Sequence, residues 1–192
     1  MTGGSRNGKT TLVSRLTASD ARLIVWDYPG RDWPETCERV IGMSALCNRL
    51  LEVGEGPARI SYQGELDSKH FGKWASLALA WCQYAPVTVV AEELADVVHP
   101  GKAVRGWGEL VRGGLAYETT IVGITQRPQE TDKSIFGNAT DLRIFGIEDS
   151  DDAKYIARKT RLPADVIDGL KPLEYIEKKK ASTEFEVKKL SF

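Results

Sequence analysis

Residues 3 to 10 read Gly-Gly-Ser-Arg-Asn-Gly-Lys-Thr, so Gly3, Gly8, Lys9 and Thr10 fill the four fixed places of a phosphate-binding loop. Few short motifs constrain a fold as much. The loop joins a buried strand to a helix, which commits the chain to an α/β sheet. Its glycines let the backbone curl until several N–H groups face one anion, and the next helix adds its positive end. Gly3, Gly4, Asn7, Gly8, Lys9, Thr10 and Thr11 are therefore the expected nucleotide-binding residues. Among them, Lys9 reaches for the outer phosphates and the Thr10 hydroxyl for Mg²⁺. Only Met1 and Thr2 precede the loop, where a central strand of about five or six residues is expected. A late start or a truncation would account for this first strand, and its loss would remove an inner strand from the sheet.

Downstream, short continuous apolar runs alternate with helical patterns. Arg22–Asp27, Ala58–Tyr62, Val87–Ala91, Thr119–Thr125 and Leu142–Gly146 read as strands. A Tyr28-Pro29-Gly30 turn follows the first of these, at whose end stands an acid. Helices are expected over Lys9–Ala18, 43–53, 67–84, Glu109–Tyr117, Asp152–Lys159 and Ala164–Gly169. Residues Leu173–Lys178 and Thr183–Lys189 alternate as a terminal β-hairpin. The fold class is α/β: a mostly parallel sheet with helices on both faces, plus that hairpin. Residues 1–150 form the expected core, and 151–192 the C-terminal helices and hairpin packed on it. A net charge of −1 leaves any nucleic-acid contact to local patches. Cys37, Cys47 and Cys82 are too scattered for a zinc site or disulfide framework. No apolar run approaches the roughly 18 residues of a membrane span, and no signal peptide is visible.

In a parallel sheet the ligand sits at the carboxyl ends of the strands, and the remaining polar signals fall there. Glu92 and Glu93 close the Val87–Ala91 run. One carboxylate at this place holds Mg²⁺ and a second activates water, so Glu92 is assigned to the metal and Glu93 to the general base. Glu92 stands where aspartate is usual. After the next strand comes Thr125-Gln126-Arg127-Pro128, whose Gln126 amide suits a γ-phosphate sensor.

The order of these motifs resembles the FtsK/HerA superfamily of P-loop ATPases, of RecA-like (ASCE) type. Within it the chain is most similar to the genome-packaging ATPases of tailless, internal-membrane phages. The resemblance covers about residues 3 to 146, with Thr-Gln-Arg-Pro and the 100–110 stretch as its more specific parts. It implies ATP and Mg²⁺ as cofactors. It also implies a closed ring, usually a hexamer, around double-stranded DNA held non-specifically by its backbone. Capsid or membrane-vertex proteins would be further partners, in the infected bacterial cytoplasm or at the virion packaging vertex. Arg112 is the candidate trans-acting arginine, with Arg105 and Arg143 as rivals. Lys102, Arg105, Trp107 and Arg112, in a glycine-rich and mobile loop, are candidate DNA contacts. A nucleoside or small-molecule kinase, with 127–137 as a lid, and a phage morphogenesis or secretion factor are the alternatives.

Overall fold

Four of the expected strand runs, with one short strand that the sequence did not signal, form a five-stranded, wholly parallel sheet in the order β2-β3-β1-β4-β5. These strands are β1 (Arg22–Trp26), β2 (Glu38–Ile41), β3 (Ala58–Gln63), β4 (Thr88–Ala91) and β5 (Thr120–Gly123). The computed structural model describes residues 1–27, 33, 36–101 and 103–191. The Tyr28–Gly30 turn, Lys102 and the terminal Phe192 lie outside the described residues. All of β1 and β4 is buried, as expected of strands covered on both faces.

On one face pack α2 (Met43–Val53), α3 (Ser68–Cys82), the short α4 (Leu94–Val97) and α5 (Arg105–Gly113). Trp26, Phe71, Trp74 and Trp107 meet there with ring centroids 5.2–5.5 Å apart. Burying each such ring contributes about 1.5–3 kcal/mol. Asp67 caps α3 by accepting from the Lys69 and His70 N–H groups. On the opposite face α1 (Lys9–Leu16) brings Val13 against Leu23, Val25 and Val90. At the amino end of β1, the Arg22 guanidinium lies 4.0 Å from the Trp81 ring centre and donates to the Gly54 and Gly56 carbonyls.

A second sheet, in the order β6-β7-β8, is antiparallel. It comprises β6 (Asp141–Phe145), β7 (Glu174–Lys179) and β8 (Glu186–Lys189), with α7 (Ser150–Thr160) and α8 (Ala164–Asp168) against it. The hairpin is where its alternation placed it. The 142–146 run, however, leaves the parallel sheet and pairs with β7. Thr2 links the two sheets through parallel bridges to Thr125 and Ile144. Beside it a cleft of about 550 Å³ separates β5 from β6, lined also by Leu16, Val111, Leu115 and Ile135.

The 99–108 stretch corrects the sequence reading. Helix α5 begins at Arg105, several residues before the expected Glu109, and a 3-10 turn (Gly114–Tyr117) ends it. Gly106 is there for contact: a Cβ on it would lie 2.0 Å from the Gly72 carbonyl oxygen and 2.3 Å from Ser76 Oγ. Two helices thus cross backbone to backbone where a mobile loop was expected.

Candidate nucleotide site

The phosphate-binding loop turns into α1 at Gly8, whose φ of 89° is a left-handed conformation that glycine adopts without strain. Lys9 is buried, and its Nζ donates to the carbonyls of Gly3 (2.8 Å) and Gly4 (2.6 Å). The ammonium is thus held in the mouth of its own loop. Two expected ligands serve as anchors. The Gly4 N–H (2.7 Å) and the Asn7 amide (2.9 Å) both donate to the Gly146 carbonyl just beyond β6. Leu12 packs with Phe145, Tyr175 and Leu190, so the second sheet buttresses the loop. Thr11 is half-buried on the first turn of α1.

Across from the loop, Thr10 Oγ1 donates to Glu92 Oε1 at 2.8 Å, and Glu92 is 0% exposed. A hydroxyl and a carboxylate oxygen at this separation are a donor set that fits Mg²⁺, which takes oxygen ligands and retains several waters. Glu93 follows with φ 46° and ψ 56°, a left-handed conformation that costs a non-glycine residue about 1–2 kcal/mol. Two contacts hold it there. Gln126 Nε2 donates to Glu93 Oε1 at 2.5 Å, and the Leu94 N–H donates to the Ile124 carbonyl at 2.9 Å. Strain of this kind, imposed by well-made neighbours, is characteristic of functional positions.

The Thr-Gln-Arg-Pro segment is stitched in place. The Arg127 N–H donates to Thr125 Oγ1, Thr131 Oγ1 to the Pro128 carbonyl, and the Gln129 N–H to Asp152 on α7. Burial raises the Asp152 carboxyl above the ordinary aspartate range, opposed by that Gln129 hydrogen bond. Asp132 caps α6 (Lys133–Asn138) and accepts from Trp107 Nε1 at 3.0 Å. The sensor segment is thereby tied to α5.

Lys9, Thr10, Glu92, Glu93 and Gln126 come together at the carboxyl ends of β4 and β5. Arg112 is exposed on the last turn of α5. Its rivals are engaged elsewhere: Arg105 Nε lies 3.1 Å from Glu109, and Arg143 lies 2.6 Å from Glu177. Trp107 is 0% exposed and so is removed from the candidate DNA contacts. The lysine-rich tail is largely occupied. Lys179 pairs with Asp141, Lys188 with Glu177, and buried Lys178 donates to the Ser182 carbonyl.

One buried acid at the same end of the sheet was given no role in the sequence reading. Asp27, just past β1, is 1% exposed, and its Oδ2 accepts from Ser61 Oγ (2.8 Å) and Gln63 Nε2 (3.1 Å). Burial raises its carboxyl above the usual range, against those two hydrogen bonds, the Trp33 backbone and the Arg39 charge. The signal was available, since an acid closing a buried apolar run stands at the ligand end of the sheet.

Parallel sheet, loop and helix together define the P-loop NTPase fold. No family model matches the chain. The genome packaging NTPase B204 from Sulfolobus turreted icosahedral virus 2, in complex with AMPPCP, superposes with a TM-score of 0.81 at 13% identity. That match covers 100% of this chain and 96% of the other. Protein P9 of Pseudoalteromonas phage PM2 is 32% identical over 135 residues, 69% of this chain and 61% of that relative's length. The N-terminal domain of zonular occludens toxin from Neisseria meningitidis superposes less well, with a TM-score of 0.53 at 14% identity over 99% of this chain and 92% of that one. The fold expected from the three motifs, a parallel sheet with a terminal hairpin, is borne out by these superpositions. Among the described residues no helix is long and apolar enough to cross a membrane.

Proposed function

We propose that this chain is an ATP-hydrolysing DNA translocase that packages a double-stranded viral genome. The observation that carries the reading is the pair of contacts Thr10–Glu92 and Gln126–Glu93 opposite a buried Lys9. They supply a metal position, a base and a sensor around one phosphate loop. The fold shared with a genome packaging NTPase supports the same reading. Lys9 exchanges the Gly3 and Gly4 carbonyls for phosphate oxygens, and the loop N–H groups left free by the anchors complete the cradle. Thr10 and Glu92 would hold Mg²⁺, which neutralises charge on the outer phosphates when bound. Glu93 takes the proton of the attacking water, and the Gln126 amide passes from Glu93 to a γ-phosphate oxygen. Because Gln126 belongs to the segment tied through Asp132 and Trp107 to α5, its movement reaches the helix bearing Arg112. In a closed head-to-tail ring, a hexamer, Arg112 would serve the neighbouring nucleotide. Capsid or membrane-vertex proteins would anchor that ring at the packaging vertex.

ATP turnover with and without double-stranded DNA tests this. Turnover that rises with DNA, weakens with salt as phosphate-backbone contacts do, and is lost in Lys9→Ala is expected. Turnover indifferent to DNA overturns the translocase reading. Arg112→Ala should lower turnover about a thousandfold while leaving nucleotide binding intact, the size of a trans-acting arginine.

A further inference from the structure

Asp27 and Glu92 are neighbours on one face of the sheet. The β1–β4 register pairs Val25 with Val90 and Trp26 with Ala91. The ladder continues one step further, because the Glu92 N–H donates to the Trp26 carbonyl at 3.2 Å. Side chains two residues apart share a face, so Asp27 lies with Leu23 and Val25, and Glu92 with Val90. Those three apolar residues cluster with Val13 of α1. Both residues therefore face the phosphate-loop helix from adjacent strands, whose backbones run about 4.8 Å apart.

The supports of the two acids differ. Glu92 meets Thr10. Asp27 stands on a platform of Ser61 and Gln63, both on β3, which fix Oδ2. Its Oδ1 is buried with no hydrogen-bond partner of normal geometry, although the Trp33 backbone lies near enough to the carboxyl to lower it. A buried carboxylate oxygen of this kind calls for a donor, and two buried acids side by side repel unless a cation lies near. Arg39, on the solvent side of the same platform, lends Asp27 some positive potential.

We propose that Asp27, held by Ser61 and Gln63, is a second carboxylate of the divalent-cation site begun by Thr10 and Glu92, with Oδ1 accepting from a water of the cation's shell. This rests on the nucleotide-site reading above. The assignment explains why the platform grips one oxygen only: it aims the other. In Asp27→Asn the amide oxygen would keep the Ser61 and Gln63 bonds, while the NH₂ group would present donors where the shell water needs an acceptor.

The test is Mn²⁺ binding in the presence of ADP, followed by electron paramagnetic resonance, beside melting curves in EDTA. Asp27→Asn should weaken Mn²⁺ by about ten- to a hundredfold, as loss of an outer carboxylate does elsewhere. In EDTA the same variant should melt at or above the wild-type temperature, because one of two adjacent buried charges is gone. Ser61→Ala, which keeps the carboxylate but loosens it, should weaken Mn²⁺ by a smaller factor and serves if Asp27→Asn folds poorly. Unchanged Mn²⁺ affinity together with a lowered melting temperature would overturn the inference and leave Asp27 a stitch between β1 and β3. If the wild type turns over no ATP, the nucleotide-hydrolysis reading falls, while the Mn²⁺ comparison still decides the role of Asp27.

Discussion

At the carboxyl ends of β1 and β4, Asp27, Glu92 and Glu93 lie at 1%, 0% and 6% exposure and are met by Ser61, Gln63, Thr10 and Gln126, which are hydroxyls and amides. In the second sheet Asp141 and Glu177 sit near the surface and are met by Lys179, Lys188 and Arg143. The consequences for protonation are opposite. Burial raises the Asp27 carboxyl, whereas hydrogen bonds from Lys179 and Lys188 lower those of Asp141 and Glu177. The second sheet pairs these two acids with its own cations. The parallel sheet concentrates acids in a dry place, where hydroxyls and amides are among their hydrogen-bond partners, which suits a site that a cation and a triphosphate complete.

The sharpest break of this comparison is Glu93→Gln. It should lower ATP turnover by about a thousandfold, or roughly 4 kcal/mol in the barrier, with the melting temperature little changed; an active variant would remove Glu93 from the role of base. Next comes Gly106→Val, whose side chain has no room against Gly72 and Ser76. Overpacking this crossing should destabilise the fold by about 3 kcal/mol, seen in urea denaturation, while Gly113→Ala, with open space around it, should be nearly silent. Trp107→Phe removes the donor to buried Asp132 and should cost about 1–2 kcal/mol. The same variant should blunt any DNA stimulation of turnover, because the tie between sensor segment and α5 is cut.

The smallest effect is expected in the second sheet. The Glu177 carboxyl is lowered in the folded state, so its stabilisation is present above the unfolded value near 4.3. That stabilisation is lost as the pH falls through the folded one. Glu177→Gln should therefore flatten the acid limb of a melting-temperature profile and cost less than about 1 kcal/mol at neutral pH. An equal loss at every pH would mean that Glu177 acts through packing.

Much of the site was legible because its chemistry is local: Lys9 and Thr10 are adjacent, and Glu92, Glu93 and Gln126 each close an apolar run. The strands β1 and β4 announced themselves by their apolar runs and are buried throughout, whereas β3 is buried only over its middle residues. What escaped depended on distant partners. Strand β2 is a short edge strand whose Glu38, Arg39 and Ile41 are exposed, so its sequence lacks an apolar pattern. Helix α5 was misplaced because Gly106 and Gly108 read as loop residues, and only the position of Gly72 reveals that Gly106 serves a helix crossing. Ser61 and Gln63 acquire meaning from the register that sets them beside Asp27.

The cleft beside β5 leaves its mark on the slowest motions of the molecule. Along β5 the amides of Thr120 and Ile124 donate toward β4, to Val87 and Ala91. By the alternation of a parallel ladder those of Ile121 and Gly123 turn the other way, toward the cleft. Deuterium uptake along this one strand should therefore alternate with a period of two, slow at Val122 and Ile124 and fast at Ile121 and Gly123. In β1, enclosed by β3 and β4, it should be uniformly slow.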